Sequence, residues 1–439
     1  MQTEIYAVLQ VTKKDIRFVV GKYKINTGLK VIFKEKISGN WLTNEDEIID
    51  PNQISHRLSK IIHKFNTTFQ QKIERISIVY PTLTMQIKDA IATEFINSAD
   101  FVIKEENIKT LYSTARKIIY DDKHVVINIK PYLFTLDNVT QMGTVPLNHR
   151  AKNIVMKAKV YTISKKVKES FNQILKSLKL EELISTNELY ALARQSNSDQ
   201  TFRQNFAIIN WDWEKTDIGY FSKETLAKKD TINFGIKNII QNVAERMQAK
   251  FDIAEKYLFK ILDFSSNTLD DTVVYRKYIS SKGFNYELRS KDLKNIILEE
   301  INSIIDKSDI LIKREFERIK NFQIHHTGKV TTIAGFEKIL FRSQFKDVCQ
   351  IYFSLVTGAS EIWTTAICGM IKCAHIANKN NKEIKTSTFS ISKSELIRDI
   401  ENNQLRNKIV NNNQRIVSNF QNNRNIPQQN GIINTQRNR

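Results

Sequence analysis

Cysteine is scarce in this 439-residue chain: Cys349, Cys368 and Cys373 are the whole complement. Their number and spacing exclude a disulfide framework and a zinc site, so a reducing compartment is the default. Long apolar runs are also missing, none approaching the roughly 18 residues a membrane-crossing helix needs. The start, MQTEIYAVLQ, lacks a basic stretch followed by an apolar one, so the chain is expected to be neither secreted nor membrane-spanning. Acidic residues are outnumbered 47 to 67, giving a formal charge of +20 and a pI near 9.6. Two readings stay open: an anionic partner (nucleic acid, an anionic membrane face or an acidic peptide), or a coding bias toward A and T that enriches Lys, Asn and Ile. With 41% hydrophobic and 10% aromatic residues, the chain can fill about two to four domains with packed cores.

Glycine is missing where it would be most informative. The stretch Phe206 to Phe221 reads FAIINWDWEKTDIGYF: two apolar β-forming runs around a short polar turn, the pattern of a hairpin. In several nucleotide-binding folds such a turn points backbone amides at phosphates, and glycine lets the backbone come close. Here Trp213 and Glu214 stand in the turn. The N-terminal segment repeats the design. Strands Ile5–Val11 and Ile16–Val20 flank the turn Thr12-Lys13-Lys14, with a third strand at Leu29–Phe33. Two similar hairpins about 200 residues apart suggest a duplicated domain.

The remaining elements follow in order. Asp50-Pro51 starts an amphipathic helix through Ile54, Leu58, Ile61, Ile62 and Phe65, and Ile76–Pro81 reads as a strand. This β-β-β-α-β order is that of the ribonuclease-H-like half. An interruption over about residues 82 to 160 holds a segment turning helical at Glu105-Glu106, strands at Val125–Ile129 and Leu133–Leu136, and a strand at Ile154–Thr162. Helices are expected at Lys165–Leu178 and Glu188–Arg194, and a polar run, Gln195–Gln204, bridges to the second half. Beyond the second hairpin come helices at Ile236–Lys250 and from Ile253 to Phe259, and short strands over 262–290. One or two long helices at Leu293–Lys320, a strand at Lys329–Ala334 and a helix at Trp363–Ala377 complete the folded part. From about Asn378 the composition turns to Asn, Gln, Lys, Arg and Ser. This tail is expected to be mostly disordered, with eleven basic and four acidic residues over 376–439.

At this point the chain resembles FtsA, the actin-like protein of bacterial cell division, over about residues 1 to 377. The similarity rests on Ile49-Asp50 with the helix to Phe65, on Ile103 to Ile108, and on Val125–Ile129 through Leu136-Asp137. Pro146-Leu147 and Lys157–Thr162 also carry it. The resemblance implies an α/β actin-like (ribonuclease-H-like duplicated) ATPase fold with an FtsA-type 1C insertion subdomain. On that pattern 1–81 and 161–198 form subdomain 1A, 82–160 subdomain 1C, 199–240 and 321–377 subdomain 2A, 241–320 subdomain 2B, and 378–439 the basic tail. It further implies a cell-division scaffold that binds FtsZ through about 240–320, self-associates into protofilaments, and works in the cytoplasm at the inner face of the cell membrane near the septum.

The same resemblance implies ATP and Mg²⁺ as cofactors, with candidate nucleotide-binding positions Thr12, Lys13, Lys14, Lys215, Thr216, Asp217, Gly235, Glu255, Ala334 and Gly335. The family's phosphate signatures are changed here. Gln10 and Asn210 replace carboxylates that would hold Mg²⁺ through water, and an amide is a weaker ligand for a hard cation. Trp213 and Glu214 obstruct and repel phosphate, whereas Lys13, Lys14 and Lys215 supply positive charge. Hydrolysis is therefore expected to be impaired or absent. Two alternatives remain open: an active filament-forming ATPase, and a basic nucleic-acid-binding protein, for which no interleaved aromatic surface speaks.

Other candidates read as structural. His325-His326 is expected to be a loop pair, since adjacent residues do not readily face one ion together. Asp263 and Asp270-Asp271 read as a solvated loop. Trp211 and Trp213 are expected to share one face of a strand and to pack. In the tail, Leu396, Ile400, Arg406, Ile409, Arg415 and Phe420 outline a weak amphipathic segment for a membrane surface or partner.

Overall fold

Alternating apolar residues and well-placed turns make the first sheet. The computed structural model describes residues 3–24, 28–119, 121–266, 271–279, 283–380 and 383–392. Strands β1 (Glu4–Val11), β2 (Asp15–Lys24) and β3 (Gly28–Ser38) form an antiparallel meander. Helix α1 (Pro51–Phe69) follows. The Asp50 side chain accepts from the Gln53 N–H, Pro51 occupies the first turn, and Ile54, Leu58, Ile61, Ile62 and Phe65 are buried. Strand β4 (Arg75–Tyr80) returns parallel to β1.

An inserted unit then begins. Strand β5 (Gln86–Phe95), helix α2 (Glu105–Ile118), strand β6 (His124–Leu136), the short β7 (Thr140–Met142) and β8 (Asn153–Ser164) build a four-stranded sheet in the order β5-β8-β6-β7. Its own small core includes Ala92, Leu111, Phe134 and Met156. Helix α3 (Lys165–Leu178) and strand β9 (Glu181–Asn187) complete the five-stranded first sheet, order β3-β2-β1-β4-β9. Helix α4 (Glu188–Ser196) leaves it, capped by the Asn187 side chain on the Tyr190 N–H.

The second half repeats this topology. Strands β10 (Phe206–Trp211), β11 (Thr216–Ser222) and β12 (Thr225–Ile232) form a meander. Helices α5 (Ile236–Arg246) and α6 (Phe251–Lys256), hairpin β13 (Val273–Ile279)–β14 (Phe284–Arg289) and the long α7 (Ser290–Phe316) come next. Strand β15 (Gln323–Gly328), the short α8 (Phe336–Ile339) and β16 (Cys349–Ile351) close a sheet of order β12-β11-β10-β15-β16. In both halves the first strand pairs antiparallel with the second and parallel with the fourth. Helix α9 (Thr365–Asn380) sends Ile367, Cys368, Met370 and Ile371 into the first core.

Several expectations are corrected. Val125–Ile129 and Leu133–Leu136 are one strand, β6, bent by irregularities at Val126/Asn128 and at Pro131/Leu133, where proline removes a ladder donor. The strand expected at Lys329–Ala334 is a short 3₁₀ turn at Lys329–Thr332. The ladder lies just upstream in β15 and carries His325 and His326, so they are not a loop pair. Helix α5 ends at Arg246, before the expected Lys250, and Gln248 has a positive φ of 51°. Trp213 lies beyond the end of β10, in the turn, and so does not share a strand face with Trp211.

Part of the tail lies among the described residues. Ser387 is built onto the first sheet: its N–H donates to Ile5 O at 2.8 Å and its Oγ accepts from the Ala7 N–H at 2.8 Å. Separately, β17 (Glu383–Lys385) pairs with β18 (Ser390–Ser392), and the Asn378 side chain exchanges two hydrogen bonds with the Lys385 backbone. The candidates Leu396, Ile400, Arg406, Ile409, Arg415 and Phe420 lie outside the described residues. Among the described residues, no helix is long and apolar enough to cross a membrane.

One contact sets how closely helices may approach. A Cβ on Gly369 of α9 would lie 1.8 Å from Ala191 O and 3.2 Å from Gln195 N of α4. Gly369→Ala gains up to about 1 kcal/mol of helix propensity. Overpacking against backbone costs about 1–3 kcal/mol, and this approach is too short for a small adjustment. The expected result is a lower midpoint of thermal unfolding for Gly369→Ala, measured by circular dichroism.

Candidate functional site

Two turns of opposite charge meet between the halves. The β1–β2 turn is closed by the Thr12 N–H on Asp15 O at 2.8 Å. It offers Lys13 and Lys14. The β10–β11 turn, Asp212 to Lys215, is closed by the Asp212 N–H on Lys215 O at 3.1 Å. Lys13 Nζ lies 2.5 Å from the Glu214 carboxylate, and Lys237 approaches the same group at 3.3 Å. Lys14 sits 3.5 Å above the centroid of the Trp213 ring and 3.8 Å from Glu255, which also holds Lys329 at 2.5 Å.

Charge follows this geometry. Partial burial alone would raise the Glu214 and Glu255 pKa values, but hydrogen bonds and charge from Lys13 and Lys237, and from Lys329 and Lys14, hold both below the ordinary value. Burial lowers Lys14 despite Glu255.

Beneath the second turn, Gly235 leads into α5. A Cβ there would lie 2.4 Å from Lys215 N, 2.6 Å from Glu214 C and 2.6 Å from Trp213 O. Glycine is therefore required by close packing of the turn against the helix start. The first amides of the helix are spent on that turn: Ile236 N–H donates to Asp212 O at 3.1 Å and Lys237 N–H to Trp213 O at 2.8 Å.

The other expected residues are placed as follows. Thr216 is fully buried and gives its hydroxyl to Phe234 O at 2.9 Å. Asp217, also fully buried, accepts from Thr82 at 2.5 Å and Thr231 at 2.6 Å, with Lys215 Nζ at 3.2 Å. Ala334 O takes the Phe264 N–H at 2.8 Å, and Gly335 has φ of +82°, with Ser265 N only 2.2 Å from where a Cβ would be. The loop at Phe264-Ser265 thus packs directly on Ala334-Gly335. Lys13 and Lys14 meet the second turn and Glu255, Thr12 bonds within its own turn, Thr216 and Asp217 face inward, and Ala334-Gly335 packs on the Phe264-Ser265 loop.

Several residues escaped the sequence reading. Glu188, at the start of α4, accepts from Gln10 Nε2 at 2.8 Å, while Gln10 Oε1 accepts from Arg17 at 3.2 Å. Burial, with Asp212 adding to it, pushes the Glu188 pKa up to about 8, and burial also raises Asp212. Lys229 donates to Thr82 O, and Asp46 accepts from the Leu83 N–H at 3.0 Å. Lys237 and Lys329 complete the ion pairs. Trp211 packs against His326 and donates to its Nδ1 at 3.2 Å. Burial lowers His325 to about 4 and His326 to about 3.

Beside the turns lies a cavity of about 640 Å³ lined in part by Lys13, Lys14, Asn44, Trp213, Glu214 and Lys237. Among the described residues, no group of three or more His, Cys, Asp or Glu is arranged to hold a metal ion. Gln10 and Asn210 are buried, at 2% and 5% exposure.

Comparison with solved structures fixes the fold. The chain superimposes on the PilM–PilN type IV pilus biogenesis complex with a TM-score of 0.56 at 9% identity, covering 84% of this chain and 98% of that one. It also matches MreB5 of Spiroplasma citri bound to ADP, with a TM-score of 0.51 at 12% identity over 86% and 99% of the two chains. The fold is the actin-like ATPase fold. No protein-family model matches the sequence, and no curated protein matches it. The duplicated sheets are the halves of this fold, and the two facing turns are its paired hairpin turns.

Glu188 gives a signed pH dependence. Its folded pKa of about 8 lies above the ordinary 4.5, so the native state holds a proton that the unfolded chain releases. That contribution is complete below about 4.5 and is lost as pH rises through about 8. The buried histidines act oppositely, their contribution falling as pH drops below 6.5. Glu188→Gln keeps a neutral acceptor for Gln10. The stability difference between variant and wild type is expected to move in favour of the variant by on the order of 2–4 kcal/mol from pH 5 to pH 8. Denaturant titrations at each pH measure it, and a pH-independent difference would contradict the buried, protonated Glu188.

Proposed function

We propose that the chain is a non-hydrolysing actin-like scaffold of the FtsA kind. In this reading it binds FtsZ through the region at about 241–320, which contains the β13–β14 hairpin and α7. It self-associates into protofilaments and works at the inner face of the cell membrane near the septum, its basic tail meeting the anionic surface. The inserted unit at residues 82–160 takes the part of the FtsA-type 1C subdomain. The resemblance in sequence and the fold support this reading.

The observation that carries the loss of hydrolysis is the direct Lys13–Glu214 pair between the two turns, at 2.5 Å. A nucleotide's phosphates need cationic or amide-lined turns on both sides. Here a carboxylate stands on one side, and the α5 amides are bonded to the turn's own carbonyls. Gln10 and Asn210 offer amides where Mg²⁺ calls for carboxylates, so the residues do not fit Mg-ATP. The PilM neighbour was solved as a complex with PilN, which accords with an actin-like fold working through a partner.

A second reading rests on the cavity of about 640 Å³ beside Lys13, Lys14 and Lys237, and on the MreB5 neighbour being bound to ADP. In that reading the chain is an ATPase with Mg-dependent turnover.

Calorimetry with Mg-ATP and a phosphate-release assay separate the two. The scaffold reading expects no saturable heat and no turnover above background, together with saturable binding of an FtsZ C-terminal tail peptide. Turnover that depends on Mg²⁺ and is lost in Thr216→Ala would favour the ATPase, and failure to bind the peptide would remove the FtsZ assignment.

A further inference from the structure

Both lysines of the first turn reach a glutamate of the second half, and each glutamate also holds a second lysine. Glu214 lies between Lys13, at 2.5 Å, and Lys237, at 3.3 Å. Glu255 lies between Lys14, at 3.8 Å, and Lys329, at 2.5 Å. The pattern is the same twice: one cation from the first half, one carboxylate, one cation from the second half. Two cations around one anionic group is the arrangement a phosphoryl group takes from lysines, which act on it as point charges.

A second observation concerns the backbone. The start of an 11-residue helix, α5, is a place where amides and the helix dipole favour an anion. Here the Ile236 and Lys237 amides are consumed by the carbonyls of Asp212 and Trp213. Gly235 admits the turn at a distance no other residue would allow, with Trp213 O 2.6 Å from the place of a Cβ. The second turn is therefore seated on the helix start, and its Glu214 side chain is delivered to the lysines beside it. The cavity alongside remains open to solvent-borne anions and shares Lys13, Lys14 and Lys237 as lining.

We infer that Glu214 and Glu255 are built-in stand-ins for the phosphoryl groups of a polyphosphate, holding the two halves together across Lys13, Lys14, Lys237 and Lys329 with no ligand present. The inference deepens the non-hydrolysing reading and rests on it. It names what occupies the place of the phosphates: carboxylates supplied by the chain itself. It also specifies latent chemistry. Four lysines against two glutamates carry a net charge of +2; making both carboxylates neutral raises it to +4, and the cleft then takes an inorganic polyphosphate anion.

The probe is sodium tripolyphosphate, titrated without metal into the full chain by calorimetry. Wild type is expected to show no saturable binding. Glu214→Gln/Glu255→Gln is expected to bind one equivalent at least tenfold more tightly, with affinity falling as salt rises. Lys13→Gln added to that variant is expected to remove the gain. Equal binding by wild type and variant overturns the inference, as does no binding by a variant with the wild-type circular dichroism spectrum. If the double variant does not fold, Glu214→Gln alone carries the test: an intermediate gain supports the inference and no gain overturns it. Because tripolyphosphate carries no nucleoside and no metal is added, this outcome is separable from the scaffold reading, which stands or falls on ATP turnover and the FtsZ peptide.

Discussion

A fully buried aspartate is the constraint on which the arrangement of the cleft depends. Asp217 sits in β11 with no exposed surface, and an unpaired carboxylate there would be strongly destabilising. Three groups from different parts of the chain satisfy it: Lys215 from the adjoining turn, Thr231 from β12, and Thr82 from the junction where the inserted unit leaves β4. Burial alone would raise its pKa, but Lys215 and Lys229 together with the hydroxyls lower it. Lys229 also donates to Thr82 O, so the same junction is held from two directions. Removing any one partner weakens the compensation of this buried charge. The second hairpin, the insertion boundary and β12 are fixed relative to one another by this requirement.

From that fixed point the facing turns follow. Lys215 is committed to Asp217 and its side chain is 13% exposed, so one of the three lysines expected to meet phosphate is turned inward. The residues left at the rim of the second turn are Trp213 and Glu214, and these meet Lys14 and Lys13. Partly exposed ion pairs of this sort contribute about 0–1 kcal/mol each. Their significance is positional. Stability comes from the two cores, in which β10 serves both: Phe206 and Ile208 pack in the first, and Ala207, Ile209 and Trp211 in the second.

Much of the fold was legible, and the failures share a cause. Hairpins with apolar runs of period two, and α1 and α3 with clean amphipathic stripes, stand out because burial on one face dictates the pattern. Strands β5, β9 and β12 are less visible. Their sequences QIKDAIATEF, EELISTN and TLAKKDTI carry few large apolar residues, because β5 buries alanines against its neighbour and β12 is an edge strand with charge on its face. His325-His326 fall outside the expected strand because that strand is expected just downstream, at Lys329–Ala334, whereas β15 runs Gln323–Gly328. The structure buries both, one on each side of a central strand. At the site, the turns and their residue types were legible. The partners were not, because Lys13 and Glu214 are 201 residues apart and Lys14 and Glu255 are 241 residues apart, as their numbering gives. No local spacing encodes such pairs.

The charges of the two turns carry one more implication. A cleft built to surround a polyanionic ligand gains from positive or amide-lined turns on both sides, since a carboxylate facing phosphate is repelled. Two turns built to meet each other gain from opposite charge. The duplicated hairpins here have diverged in the second sense, with lysines at 13 and 14 and a glutamate at 214. The aromatic ring of Trp213 beneath Lys14 presents a face that favours a cation and gives nothing to a phosphate. Complementary divergence of paired turns is thus a physical signature of a cleft closed by the protein itself, and the ion pairs and helix-start contacts follow from it together.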